Sequence, residues 1–166
     1  MYLKDKVIKV AFYKGTRPGI KGIYNIGVRK WTRSPYSHVE LIFPDGEAAS
    51  SSAEDGGVRF KTIEFDPAHW DIIELPAALY AEAAYSWFAI HEHEGYDYWG
   101  NAHFVVSIIG GNRRRWFCSE AVAAALGIKT PERFDPGSLY AIVKAMADQY
   151  KATLNMVAQT GSLQAA

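Results

Sequence analysis

The 166-residue chain holds a single cysteine, Cys118, and five histidines, at positions 38, 69, 91, 93 and 103. A thiol and an imidazole are the two groups that nucleophilic catalysis combines most simply, the ring taking the thiol proton and returning it to a leaving group. Cys118 follows the aromatic pair Trp116-Phe117 and opens the run CSEAVAAALG. That Ala-rich run predicts a helix over 118–127, with Gly127 at its C-terminal cap. A cysteine at the first turn of a helix meets unpaired N–H groups and the positive end of the helix dipole. Both favour the thiolate, the reactive form, and the same N–H groups can hold an oxyanion. The competing reading of a lone cysteine is an inert packing residue.

Among the histidines, His38 is the candidate base. It follows the Pro35-Tyr36-Ser37 turn and opens an alternating stretch, HVELIF, that predicts a strand. His91 and His93 form a His-Glu-His run near a helix end, but residues two apart on a helix point in different directions, so no metal site is expected. His103 falls in an apolar helical run and His69 in a loop before a strand. A third group must orient the imidazole. Pro44-Asp45-Gly46 has the composition of a tight turn, predicting a hairpin of strands 37–43 and 47–52. A three-residue turn pairs Phe43 with Glu47, which sets His38 opposite Ser52 with Ser50 diagonal to it. Glu40 shares the strand face of His38. Ser50, Ser52 and Glu40 are the candidates for the third position.

The elements that position these groups change character along the chain. KVIKVAFY (6–13) predicts a strand and IKGIYNIGVRKWT (20–32) an irregular helix, ended by Arg33-Ser34-Pro35. The hairpin is followed by GVRFKTIEF (57–65) and WDIIEL (70–75), completing a strand meander. From Pro76 onward helices dominate. LYAEAAYSWFAIHEH (79–93) places Leu79, Ala83, Trp87 and Ile90 on one face, and NAHFVVSIIGG (101–111) reads as a second apolar helix. DPGSLYAIVKAMADQY (135–150) predicts a last helix with Asp135 as N-cap and Pro136 in the first turn. Residues 1–155 are expected to form one α+β domain, an antiparallel sheet packed against helices, with 156–166 as a frayed tail.

Composition limits the functional classes. Lys+Arg and Asp+Glu both number 18, so the formal charge is zero. A dedicated nucleic-acid binder needs an excess of positive charge. One cysteine permits no internal disulfide and no multi-cysteine zinc site. The N-terminus has no continuous apolar run of secretory type, and no stretch reaches membrane-spanning length. An intracellular, cytoplasmic protein without cofactor or metal is the expectation. A role outside the cell would then require release, as phage lysis or injection would provide.

The order of these motifs resembles a family. SPYSHVEL early and WFCSEAVAAALG late are similar to the circularly permuted papain-like enzymes of the NlpC superfamily, especially the YiiX-like branch, a group that includes lecithin:retinol acyltransferase. The resemblance covers most of residues 5 to 145 and includes KWTRSPYSH, EDGGVRF, GYDYWG and DPGSLY. It implies a permuted papain-like fold, with Cys118 as nucleophile and His38 as base. In such relatives a polar residue, often histidine, stands twelve positions beyond the base. Here that position is Ser50, a departure that leaves Ser50, Ser52 or Glu40 as the third member, or a dyad without one. The implied reaction is hydrolysis of an amide bond through a thioester, on cell-wall peptides or on lipid amides or esters. Transfer of the acyl group to an amine or alcohol, and a silent binding module of the same fold, are the alternatives.

Overall fold

Strand β1 (Val7–Tyr13) carries β-branched and aromatic residues and lies between two antiparallel neighbours. The computed structural model describes residues 6–16, 18–96 and 115–164, which form an α+β domain. One neighbour of β1 is β2 (His38–Ile42) and the other is β5 (Trp70–Pro76). Strand β3 (Ala48–Ser52) and β4 (Gly57–Lys61) extend the sheet beyond β2, all antiparallel. Two short strands, β6 (Gly95–Tyr96) and β7 (Arg115–Trp116), pair in parallel beyond β4. The strand order is β5-β1-β2-β3-β4-β6-β7.

Helix α1 (Ile20–Thr32) joins β1 to β2 and ends at Arg33, whose left-handed backbone sends its N–H to the Arg29 carbonyl. Helices α2 (Ala77–His91), α3 (Cys118–Ala125) and α4 (Pro136–Gln164) supply most of what packs on one sheet face. That core joins Ile8, Val10, Phe12, Val39 and Leu41 of the sheet to Phe88, Val122 and Leu139 of the helices. The opposite face carries a smaller cluster of Ala11, Tyr13, Ile42, Ala48 and Trp70, covered by Ile63 and Phe65.

The hairpin turn behaves as its residues demand. Gly46 has φ +94°, and the Phe43 N–H bonds the Glu47 carbonyl at 2.8 Å. Leu41 pairs with Ala49 and Ile42 with Ala48, the register expected from the turn. The ladder stops there, and the Ser50 hydroxyl donates at 2.7 Å to the Val39 carbonyl, an acceptor that a longer ladder would use. His38 therefore does not pair with Ser52. It pairs with Tyr13 of β1, and Ser52 pairs with Gly57 of β4.

Three further differences from the sequence reading have physical causes. Strand β4 ends at Lys61, not residue 65, because Ile63 and Phe65 turn onto the second cluster. On α2 the buried residues are Ala77, Ala81, Ala84 and Phe88, while Leu79 and Ile90 are exposed. This helix carries apolar residues all round, with Glu82 and Ser86 the only polar residues before His91, so periodicity alone does not choose its face, and small alanines allow the closest approach to the sheet. Helix α4 starts as expected, with Asp135 Oδ1 accepting from the Gly137 and Ser138 N–H groups at 2.7 and 3.0 Å. It then continues to Gln164, with residues 151–160 exposed, where composition suggests a frayed tail. The expected helix over 101–111 lies outside the described residues, as does most of GYDYWG. Among the described residues no helix is long and apolar enough to cross a membrane.

Candidate active site

Cys118 is the first residue of α3, and the helix is fastened at both ends. Glu120 Oε2 accepts from the Phe117 N–H at 3.2 Å, which anchors the residue before the thiol. Phenylalanine offers no side-chain acceptor in return, so the N–H groups of the first turn are not capped by residue 117. At the other end Gly127 takes φ +72°, its N–H bonding the Ala124 carbonyl while the Ile128 N–H bonds that of Ala123. This pair of bonds is a Schellman stop. The Ser51 hydroxyl of β3 donates to the Trp116 carbonyl at 2.7 Å, and the Ser119 hydroxyl donates to the Phe134 carbonyl at 2.5 Å. The thiol is thus held from the sheet on one side and from the segment before α4 on the other.

His38 stands at the first position of β2, close enough to Cys118 for the two to interact electrostatically. Its Nε2–H donates to Glu40 Oε1 at 2.8 Å. Glu40 in turn accepts a forked pair from Arg59 of β4, Nη1 to Oε2 at 2.7 Å and Nη2 to Oε1 at 2.5 Å. Arg59 Nε donates to Asp55 Oδ2 and Lys61 Nζ to Asp55 Oδ1, each at 2.8 Å. Charges alternate from ring to surface: His38, Glu40, Arg59, Asp55, Lys61.

Register explains why Glu40 and Arg59 meet although β3 lies between their strands. Arg59 is paired with Ser50, so the two share a face, and Ser50 is small enough for the longer side chains to join above it. Gly57 closes the other end of β4. A Cβ there would fall 1.9 Å from the Glu94 carbonyl oxygen, so only glycine allows this approach.

The electrostatics follow from this packing. Burial works against a charged His38, but the neighbouring Cys118, by charge and by hydrogen bond, and then Glu40 outweigh it and raise the ring to about 9. Burial likewise opposes a charged Glu40, yet the hydrogen bonds from Arg59 and His38 hold its carboxyl below the usual range. The Arg59 guanidinium is pushed further up by Glu40 and Asp55 against the effect of burial. Asp55 is pulled well down by Lys61 and Arg59 despite partial burial.

No family model, curated protein or solved structure matches this chain. Geometry and chemistry therefore carry the assignment of the site. Of the residues singled out from sequence, Cys118, His38 and Glu40 come together. Ser50, first choice for the third position, gives its hydroxyl to the carbonyls of Val39 and Ser51, and Glu40 occupies the place at Nε2.

The other described histidines stand apart from this arrangement. His69 is exposed and 3.2 Å from Asp66. The His91 ring stacks on Trp87 at 4.1 Å and donates from Nδ1 to the Trp87 carbonyl. His93 occupies a left-handed turn, and His103 is outside the described residues. Arg59 and Asp55 were not among the candidates from sequence. The signal for Arg59 was its alternation on GVRFK toward the face of Glu40, and it becomes readable only once the small residues of β3 are placed between them.

Proposed function

We propose that the chain is a thiol-dependent acyl hydrolase of permuted papain-like type, cleaving an amide or ester bond through a thioester on Cys118. The observation that carries this reading is His38, which neighbours the lone thiol and whose Nε2 is held by a buried, Arg-paired carboxylate.

His38 takes the thiol proton, giving a thiolate–imidazolium pair. The Cys118 sulfur attacks the substrate carbonyl carbon, and the oxygen that becomes negative lies at the start of α3, where first-turn N–H groups serve as donors. His38 then gives its proton to the leaving amine or alcohol, the carbon–heteroatom bond breaks, and a thioester remains. Water, losing its proton to His38, attacks the thioester. The acid leaves and the thiol is restored. Throughout, Glu40 keeps Nε2 occupied so that Nδ1 points to sulfur, acting as a positioning residue. The family resemblance suggests cell-wall peptides as substrates, with lipid amides or esters as rivals.

The test is the rate of iodoacetamide alkylation of Cys118 against pH, in the native protein and in His38→Ala. Reactivity persisting well below pH 7 and lost in the variant is the expected result. Slow alkylation that tracks an ordinary thiol, unchanged by the mutation, overturns the proposal and leaves a binding module of this fold. Mass spectrometry after incubation with a p-nitrophenyl acyl ester then looks for the acyl group on Cys118. Its release into water, or onto an added amine or alcohol, decides between hydrolase and acyltransferase.

A further inference from the structure

Helix α1 is turned inside out. Its inner side is fastened by polar groups: Asn25 Nδ2 donates to the Ser37 hydroxyl at 3.0 Å, and Arg29 donates to the Lys14 and Gly15 carbonyls and to the Thr16 hydroxyl. Its outer side carries the large apolar residues, with Ile23 71%, Ile26 49% and Trp31 55% exposed. At 3.6 residues per turn these three span an arc of roughly 140°. A helix of a soluble domain ordinarily does the reverse.

In the sequence around this stripe the charges have one sign, with Lys30 and Arg33 exposed and Lys14 and Arg29 engaged with Asp71 and with backbone carbonyls. Lys14, Arg17, Lys21, Arg29, Lys30 and Arg33 fall between positions 14 and 33 with no Asp or Glu among them, although the whole chain is balanced at 18 against 18. An exposed apolar stripe that includes tryptophan, on a helix whose ionised groups are all basic, is chemically matched to an anionic lipid interface. A second copy seated on the same face would bring like charges together. An acidic protein surface would satisfy the charges but set two isoleucines against polar groups.

We infer that α1 docks the protein on an anionic phospholipid surface, with Ile23, Ile26 and Trp31 entering the interface and the exposed Lys30 and Arg33 facing the headgroups. The docking does not depend on thiol chemistry. Its consequence does rest on the hydrolase reading: Ser37, the inner anchor of α1, adjoins His38, so a seated α1 would bring the base close to the lipid and favour lipid amides or esters as substrates.

The experiment is sedimentation of the full chain with phosphatidylcholine vesicles and with vesicles containing phosphatidylglycerol, at low and at physiological salt. Binding at least tenfold tighter to the anionic vesicles, weakened by salt, is expected. The triple variant Ile23→Ser, Ile26→Ser, Trp31→Ser should lose tenfold or more while keeping the native circular dichroism and melting temperature. Lys30→Glu, a single exposed change, should weaken binding several-fold and reduce its salt dependence. Absence of binding to the anionic vesicles, or equal binding by both variants, overturns the inference. So does a native dimer that the triple variant converts to monomer without any vesicle binding, which would make the face a contact between copies. Cys118→Ser must bind vesicles as the native chain does, so a failed thiol chemistry and a failed docking are told apart.

Discussion

Two carboxylates on this sheet make the same kind of arrangement, each held between a cation and a ring-borne donor. Asp71 accepts from Lys14 Nζ at 2.6 Å and from the Tyr36 hydroxyl at 2.8 Å. Glu40 accepts from Arg59 and from His38. They differ in burial. The Lys14 and Asp71 side chains keep 34% and 37% of their accessible surface, whereas those of Arg59 and Glu40 keep 12% and 1%. They differ also in what the ring can do next. Burial and Asp71 only raise the Tyr36 hydroxyl far above its ordinary range, so it remains a neutral donor packed on Phe12 and Tyr140. His38 has a second nitrogen, and the Cys118 thiol is among its neighbours. The same local chemistry therefore makes a brace near the surface and, in the interior, a fixed imidazole that the proposed function uses as a base. The depth of the carboxylate and the second partner of the ring decide which.

The largest effects belong to the pair that only the Glu40 arrangement has. Cys118→Ser should abolish acyl-enzyme formation, read by mass spectrometry with an activated ester. His38→Ala should slow alkylation at pH 6 by about 10²- to 10⁴-fold, the usual contribution of a positioned base. A fall of less than about threefold would make the two networks equivalent, with His38 no more catalytic than Tyr36.

Next is the carboxylate itself. Glu40→Gln removes the buried one of the two carboxylates that pair with Arg59, Asp55 remaining at Nε, and should lower stability by up to about 3–5 kcal/mol in urea melts. The pH dependence of the native protein sharpens this. Glu40 is held below its ordinary value, so its contribution is present above pH ~4 and is lost as pH falls through the lowered folded value. His38 is raised to about 9, so its contribution is complete below the ordinary imidazole value and is lost as pH rises toward 9. The melting temperature should therefore peak between about pH 4.5 and 6.5, with the acid limb flattened in Glu40→Gln and the alkaline limb in His38→Ala. Limbs unchanged by these variants would assign the pH dependence to other groups.

Ser50 separates what was legible in the sequence from what was not. The turn composition of Pro44-Asp45-Gly46 placed Phe43 against Glu47 correctly, and the start of α3 at Cys118 followed from its Ala-rich run. Both are local signals. The choice among Ser50, Ser52 and Glu40 depended on whether the ladder runs its full length, and it ends at Leu41–Ala49, with the Ser50 hydroxyl bonded to the Val39 carbonyl. Arg59 was beyond reach for a related reason, since its meeting with Glu40 spans an intervening strand. The buried face of α2 was misjudged because its apolar residues are spread round the helix and give little sidedness to read, and which face packs is set by tertiary contact. Ser50→Ala tests the outcome directly. Loss of one buried hydrogen bond should cost about 1 kcal/mol, and the pH profile of alkylation should remain native. A shifted profile would return Ser50 to the third position and reduce Glu40 to a brace.

The smallest effect is expected at the surface counterpart. In Asp71→Asn the amide oxygen still accepts from Tyr36, and Lys14, already a third exposed, recovers water in place of its partner. Solvent screening and side-chain entropy leave such a pair with about 0–1 kcal/mol, so urea melts should show a loss within that range and alkylation of Cys118 should be unaltered. The contrast with Glu40→Gln is the quantity of interest, because both variants replace a carboxylate held by one cation and one ring donor with an amide of the same shape. If Asp71→Asn destabilised the fold as much as Glu40→Gln, burial would not be what distinguishes the two networks. The rigidity of His38 would then have to come from its place on β2 and not from the carboxylate behind it.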